Sequence, residues 1–136
     1  MKYNQWVEEG KIGVVRNALK SIIGEESSDS LCLYITFRTQ DRDVQILPFL
    51  KAQYPQEMTI SLSSDEFWNL TVTEDHFSVE LSFDTQRQRI KVPFRSLVNF
   101  IDPIAEFALQ FEKLEEELPQ NENVIFINKF RSPSEG

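Results

Sequence analysis

Residues 66–83 read EFWNLTVTEDHFSVELSF. Two runs rich in β-branched and aromatic residues, WNLTVT (68–73) and FSVELSF (77–83), flank the polar turn formers EDH, which is the pattern of a hairpin. In the second run Phe77, Val79, Leu81 and Phe83 share one face and Ser78, Glu80 and Ser82 the other, because successive side chains of a strand alternate. One face of the sheet is therefore expected to be buried and the other wet. Working outward, MTISL (58–62) and RIKVPF (89–94) are runs of the same kind, set off by SSDE and DTQRQ. Together the runs predict an antiparallel meander. Further upstream LCLYITF (31–37), with Tyr34, Thr36 and Phe37, predicts one more strand.

Helical periodicity flanks this β-rich middle. In residues 3–23 the apolar Val15, Ala18, Leu19, Ile22 and Ile23 recur three and four apart, with Arg16, Asn17 and Lys20 on the other face. Gly10 and Gly13 weaken the first half of that helix by about 1 kcal/mol each relative to alanine. Gly24 suits its C-terminal cap, and GEESSDS (24–30) is a polar loop. Near the other end, Asp102-Pro103 has the chemistry of a helix start, an aspartate cap before a proline that has no N–H to waste. From there Ile104, Phe107, Phe111, Leu114 and Leu118 alternate steps of three and four, the 3.5-residue period of a helix-pairing seam. That stripe is expected either to form a dimer interface or to cover the chain's own sheet.

The chain of 136 residues, 40% hydrophobic, is long enough for one domain with a core, followed by a tail. Its 22 acidic residues against 14 basic ones give a net charge of -8, which repels phosphate backbones and makes nucleic acid an unfavoured partner. Cys32 is the single cysteine, so no internal disulfide and no CxxC zinc site are expected. The start, MKYNQWVEEGKIG, has no hydrophobic signal core, and no apolar run reaches the ~18 residues of a membrane span. The expected location is the cytoplasm, with no membrane partner.

Catalysis needs a positioned constellation, and the sequence offers none. His76 is the only histidine and is read as a turn residue; Cys32 is read as a small buried hydrophobe. Glu25-Glu26, Asp65-Glu66 and Glu74-Asp75 all fall in expected turns, where charge is solvated rather than held in the apolar pocket that tunes an acid catalyst. With four glycines there is no phosphate-cradling loop. A non-enzyme without metal or cofactor is expected, and a hydrolase dependent on His76 is the remote alternative. Two tryptophans, three tyrosines and eleven phenylalanines supply a core and, beside a sheet, the walls of a peptide groove.

Several segments together resemble a known family. Tyr3, Trp6 and Val7, Gly13-Val14-Val15-Arg16 with Ala18-Leu19, LYITFRT (33–39), YPQEMTISL (54–62), EFWNLTVTEDHFSVELSF, VPFRSLVNFIDP (92–103) and FALQFE (107–112) are similar to the alphaproteobacterial branch of SspB, stringent starvation protein B. MTI, FWNLTVTEDHFSV and VPF in that order are the most specific part. SspB is the adaptor that delivers ssrA-tagged proteins to the ClpXP protease. The resemblance implies an α+β domain, an N-terminal helix on a small Sm-like two-layer antiparallel β fold with a further C-terminal helix and a flexible tail, assembled as a homodimer.

It also implies a division of labour along the chain. Residues 1–111 would bind the ssrA tag, 112–123 would be the acidic helix end and linker, and 124–136 the tail. Trp68, Leu81, Ser82, Phe83, Val92 and Phe94 are the expected groove residues. Val124, Ile125, Phe126, Ile127, Lys129, Phe130 and Arg131 stand where the family carries its docking module for the N-terminal domain of ClpX, and the alternative for VIFI is an added edge strand. The sequence departs from the family pattern at Arg38, at SSDE (63–66), in the extra residues RSPSEG, and in its linker: PQNEN (119–123) spans at most ~18 Å. An Sm-like RNA-binding or structural interaction module is the alternative function, disfavoured for RNA by the net charge.

Overall fold

An amphipathic helix and two antiparallel sheets share one core in the computed structural model, which describes residues 1–24, 31–64 and 66–112. Helix α1 (Tyr3–Gly24) buries Val15 and Leu19 completely and packs Ala18 and Ile22 around them, as read from the sequence, together with Ile12, whereas Ile23 is 50% exposed. The strands are β1 (Cys32–Arg38), β2 (Glu57–Ser63), β3 (Trp68–Val72), β4 (His76–Phe83), β5 (Gln86–Pro93), β6 (Leu97–Asp102) and β7 (Phe107–Gln110). A short helix α2 (Pro48–Gln53) follows β1, opening with a proline at its first turn where a missing N–H costs nothing. The fold is α+β, as expected.

The strand order is β2-β1-β6-β7 in one sheet and β3-β4-β5 in the other. In the first, Leu33, Ile35 and Phe37 of β1 stand opposite Leu62, Ile60 and Met58 of β2, and Ile35 also stands opposite Phe100 of β6. Cross-strand partners share a face, so these rows form the floor of the core. In the second sheet Phe77, Val79 and Leu81 of β4 and Ile90 and Val92 of β5 are buried toward the same cluster. The β4–β5 turn places Asp84 (φ 52°) and Thr85 (φ 68°) in the left-handed region, which a two-residue hairpin turn of matching twist requires. At the β3–β4 turn Thr73 Oγ1 accepts from the amides of Asp75 (3.3 Å) and His76 (3.2 Å), so EDH does form the connection, with His76 as the first residue of β4. Cys32 is half-buried at the start of β1 rather than buried, and its thiol, hydrogen-bonded to Tyr34, holds that phenol above its ordinary pKa of 10.0.

Two expectations are corrected. The meander of four runs is a meander of three: β2 leaves the hairpin's sheet and pairs with β1. Alternation tells which face of a strand is buried, but any strand with the same alternation offers β2 an equally good partner.

The C-terminal helix from Ile104 is replaced by a turn and strand β7. Asp102 does accept at 3.0 Å from the amide of Ala105, the bond expected of a helix cap, yet it closes a turn. Glu106 then takes φ 58°, which ends any helical course, and Phe107–Gln110 pairs back on β6 from Asp102↔Phe107 to Asn99↔Gln110. Pairing satisfies the backbone and packs Leu109 and Phe111 against the core, whereas Ile104 and Phe107 stay 58% and 42% exposed. Phe111 lies under the ammonium of Lys11, 6.0 Å from its ring centre. Leu114 and Leu118, the remainder of the expected seam, lie outside the described residues.

The chain leaves β7 against α1. Glu8, 5% exposed, holds Lys11 at 2.7 Å and accepts from the amide of Glu112 at 2.9 Å, while Lys11 also donates to the carbonyl of Gln110 at 2.8 Å. These contacts fix where the C-terminal segment starts.

Candidate peptide-binding groove

The two sheets leave a gap between a pair of unpaired strand edges. Among the described residues strand β2 is the outer strand of its sheet and pairs with β1 alone. Strand β4 is central, but β3 begins with Trp68 opposite Glu80, so among the described residues Leu81, Ser82 and Phe83 are paired only on the β5 side, with Gln88, Arg87 and Gln86. Between these edges runs a groove of about 400 Å³ lined by Met58, Thr59, Ile60, Ser61, Glu66, Trp68, Leu81, Ser82 and Phe83. Met58, Ile60 and Leu81 are buried to within a few per cent and make its floor; Thr59, Ser61 and Ser82 are exposed and make its rim.

A bulge sets Trp68 at this place. The β3–β4 register moves from Trp68↔Glu80 to Thr71↔Ser78, three residues against two, with Asn69 at φ 55°. Such an extra residue bends a strand and re-aims the side chain beside it. Trp68 is half-buried and lies under Arg87, whose guanidinium carbon is 3.9 Å from the ring centre. Beside them Glu80 accepts from Arg89 at 3.2 Å and from Asn69 at 3.1 Å.

Of the residues expected to line a groove, Trp68, Leu81, Ser82 and Phe83 come together here, and Val92 and Phe94 do not. Val92 is fully buried, and Phe94, 2% exposed, sits in a single 3-10 turn with its ring 5.9 Å from that of Phe77. Their alternation with Ile90 was a core signal, not a groove signal. Missed by sequence reasoning were Met58, Thr59, Ile60, Ser61 and Glu66. MTISL was legible as a strand, but being an edge is a property of the partner it lacks, and no spacing encodes that. The segment Val124 to Arg131 lies outside the described residues.

A second, larger cleft of about 730 Å³ opens between α1 and the β3–β4 and β5–β6 connections. It mixes Arg16, Lys91 and Arg95 with Glu9, Asp43, Glu74 and Asp75, and Phe94 forms part of its base. Arg16 lies over Phe94 and donates to the carbonyl of Glu74 at 3.1 Å; Arg95 reaches Asp43 at 3.4 Å. His76 is here too, its Nδ1 3.1 Å from the Thr73 hydroxyl. Among the described residues no three histidine, cysteine or acidic side chains are grouped to hold a metal ion, and no helix is long and apolar enough to cross a membrane.

An apolar-floored, polar-rimmed cleft thus lies between two strand edges of an α+β domain built from an N-terminal helix and two antiparallel sheets. The family model for stringent starvation protein B, SspB, matches residues 10–129, which is well over half of the chain. The chain belongs to the SspB family, a family of adaptors. No curated protein matches it.

Proposed function

We propose that the chain is a non-enzymatic adaptor that holds the ssrA tag of a polypeptide in the groove between β2 and β4 and delivers it to ClpXP through its C-terminal segment. The observation that carries this reading is the facing pair of unpaired edges. An extended peptide laid between them gains main-chain hydrogen bonds from β2, from residues 81–83, or from both, while alternate side chains enter the apolar floor. Main-chain pairing gives generic affinity and the floor selects sequence. The cytoplasm is where such a partner is met, and the tethered tag is presented to the protease at raised local concentration.

The docking half of the reading rests on residues 124–131, with Val124, Ile125, Phe126, Ile127 and Phe130 entering apolar pockets of the ClpX N-terminal domain and Lys129 and Arg131 meeting acids there. Titration of a fluorescent ssrA-type peptide, followed by anisotropy against a scrambled peptide of equal charge, tests the groove. Saturable binding of the tag alone is expected. Deleting residues 124–136 should leave that binding intact and abolish the stimulation of ClpXP degradation of a tagged substrate. Undiminished stimulation by the truncated chain would move the docking site elsewhere.

We also propose a homodimer, through a surface other than the expected seam. On α1 the exposed Tyr3, Val7, Gly10 and Val14 recur at i, i+4, i+7 and i+11, to one side of the buried face, with Trp6 beside them edge-on to Tyr3 at 5.5 Å. Among the described residues a side chain at Gly10 would meet nothing within 4 Å, so no contact among them explains a glycine that weakens the helix. A second helix approaching closely there does explain it. Light scattering should report twice the chain mass, and Val7→Glu should halve it; a dimeric Val7→Glu protein would exclude this face.

A further inference from the structure

Beside the groove, against Trp68, stands an arginine whose partners are poor. Arg87 stands opposite Ser82 in the β4–β5 ladder, so the two side chains share the outer face of the sheet, and Ser82 lines the groove. The nearest carboxylate, Glu80, is already engaged through Oε2 by Arg89 and Asn69. Arg87 reaches its other oxygen only at 3.9 Å, beyond hydrogen-bond distance. Among the described residues Arg87 makes no hydrogen bond; it rests on the Trp68 ring with its side chain 51% exposed.

Stacking of this kind prepares a guanidinium for a further partner. The ring fixes the long side chain, so less rotamer freedom remains to be lost, and the fork of N–H donors stays outside the contact, shaped for a carboxylate. We propose that Arg87 is a specificity residue that binds an aspartate or glutamate side chain of the peptide in the groove, an inference that rests on the reading of the groove as a peptide site. Glu80 is taken up by Arg89, which leaves the Arg87 guanidinium for an acidic ligand. Glu66, also on the groove lining, opposes a carboxylate placed beside it, so the position of the acid is selected and not merely its presence.

The test uses the full chain, an ssrA-type peptide with its acidic side chains intact, and a twin in which each Asp and Glu is replaced by Asn or Gln. Wild type should prefer the acidic peptide by about tenfold or more, as for a charge-assisted bidentate contact. Arg87→Gln should bind both peptides alike, and Arg87→Lys, which keeps the charge without the fork, should retain only part of the preference. Equal affinity of wild type for the two peptides would overturn the proposal while leaving the groove in place. So would an Arg87→Gln protein that weakens both peptides by the same factor, since that is the effect of uncovering Trp68. Failure of wild type to bind either peptide would remove the groove reading itself, and this inference with it.

Discussion

Trp68→Ala is expected to weaken binding of the tag peptide by about 30-fold or more, the loss typical of a buried aromatic anchor in a recognition site. Among the described residues Trp68 and Phe83 are the aromatic side chains that line the groove, and Trp68 is the one set there by the bulge at Asn69. It offers a rigid face at little entropic cost, and Arg87 already covers the other side. The fold does not depend on it in the same degree. The residue is half-buried and at the start of an edge strand, so its truncation should cost only about 1–2 kcal/mol of stability. Urea unfolding of the variant separates the two effects. Phe49→Ala is the control, because Phe49 is 45% exposed on α2 and lines neither cleft. A folded Trp68→Ala protein with unchanged peptide affinity would show that the tag lies elsewhere.

Leu81 is a poorer probe than its place in the alternation suggests. It lines the cleft between β2 and β4, but it is 5% exposed and belongs to the core beneath that cleft as well. A polar replacement there perturbs binding and folding together, since a buried amide without partners is costly. Ser82, its neighbour on the exposed rim, separates them better.

The contrast shows how far sequence reasoning reaches in this chain. Period-2 alternation in FSVELSF and period-3.6 recurrence around Val15 and Leu19 each describe one element against one apolar surface, and the apolar faces are largely found, with Phe77, Val79 and Leu81 buried; the expected wet face of β4 is not, since Ser78 is buried and only Ser82 is exposed, and Ile23 of α1 is 50% exposed. What failed involved competition between elements. Residues 104–118 carry a helical stripe, yet β6 offers an open edge immediately before them, and a turn closed by Asp102 folds Phe107–Gln110 onto it. Tertiary pairing outweighed a local period of two heptads. The groove was legible from one side only for a related reason: its β4 wall is a strand read directly, and its β2 wall is defined by the absence of a neighbour.

Phe37→Ala is expected to be the most damaging single truncation, at about 3–5 kcal/mol. Phe37 is fully buried in β1, which is bonded to β2 on one side and β6 on the other, with Met58 and Leu97 as its cross-strand partners. A cavity there is bordered by both neighbouring strands, so the surroundings have little freedom to collapse into it. Against a total of about 5–15 kcal/mol for a domain of this kind, the loss is a large fraction. It should lower the melting temperature by roughly 10–20 °C. Phe107→Ala supplies the comparison. As a seam residue facing a partner helix or the sheet it would cost as much, but at 42% exposed on edge strand β7 it should change stability by no more than about 1 kcal/mol. Urea unfolding of the two variants at equal protein concentration decides between these accounts. Equal losses would restore a packed role for Phe107, whereas a large gap places the core between β1 and its neighbours. The groove should respond accordingly: its β2 wall is held from behind by β1, so Phe37→Ala should lower peptide affinity in step with the folded fraction, and Phe107→Ala should leave it unchanged.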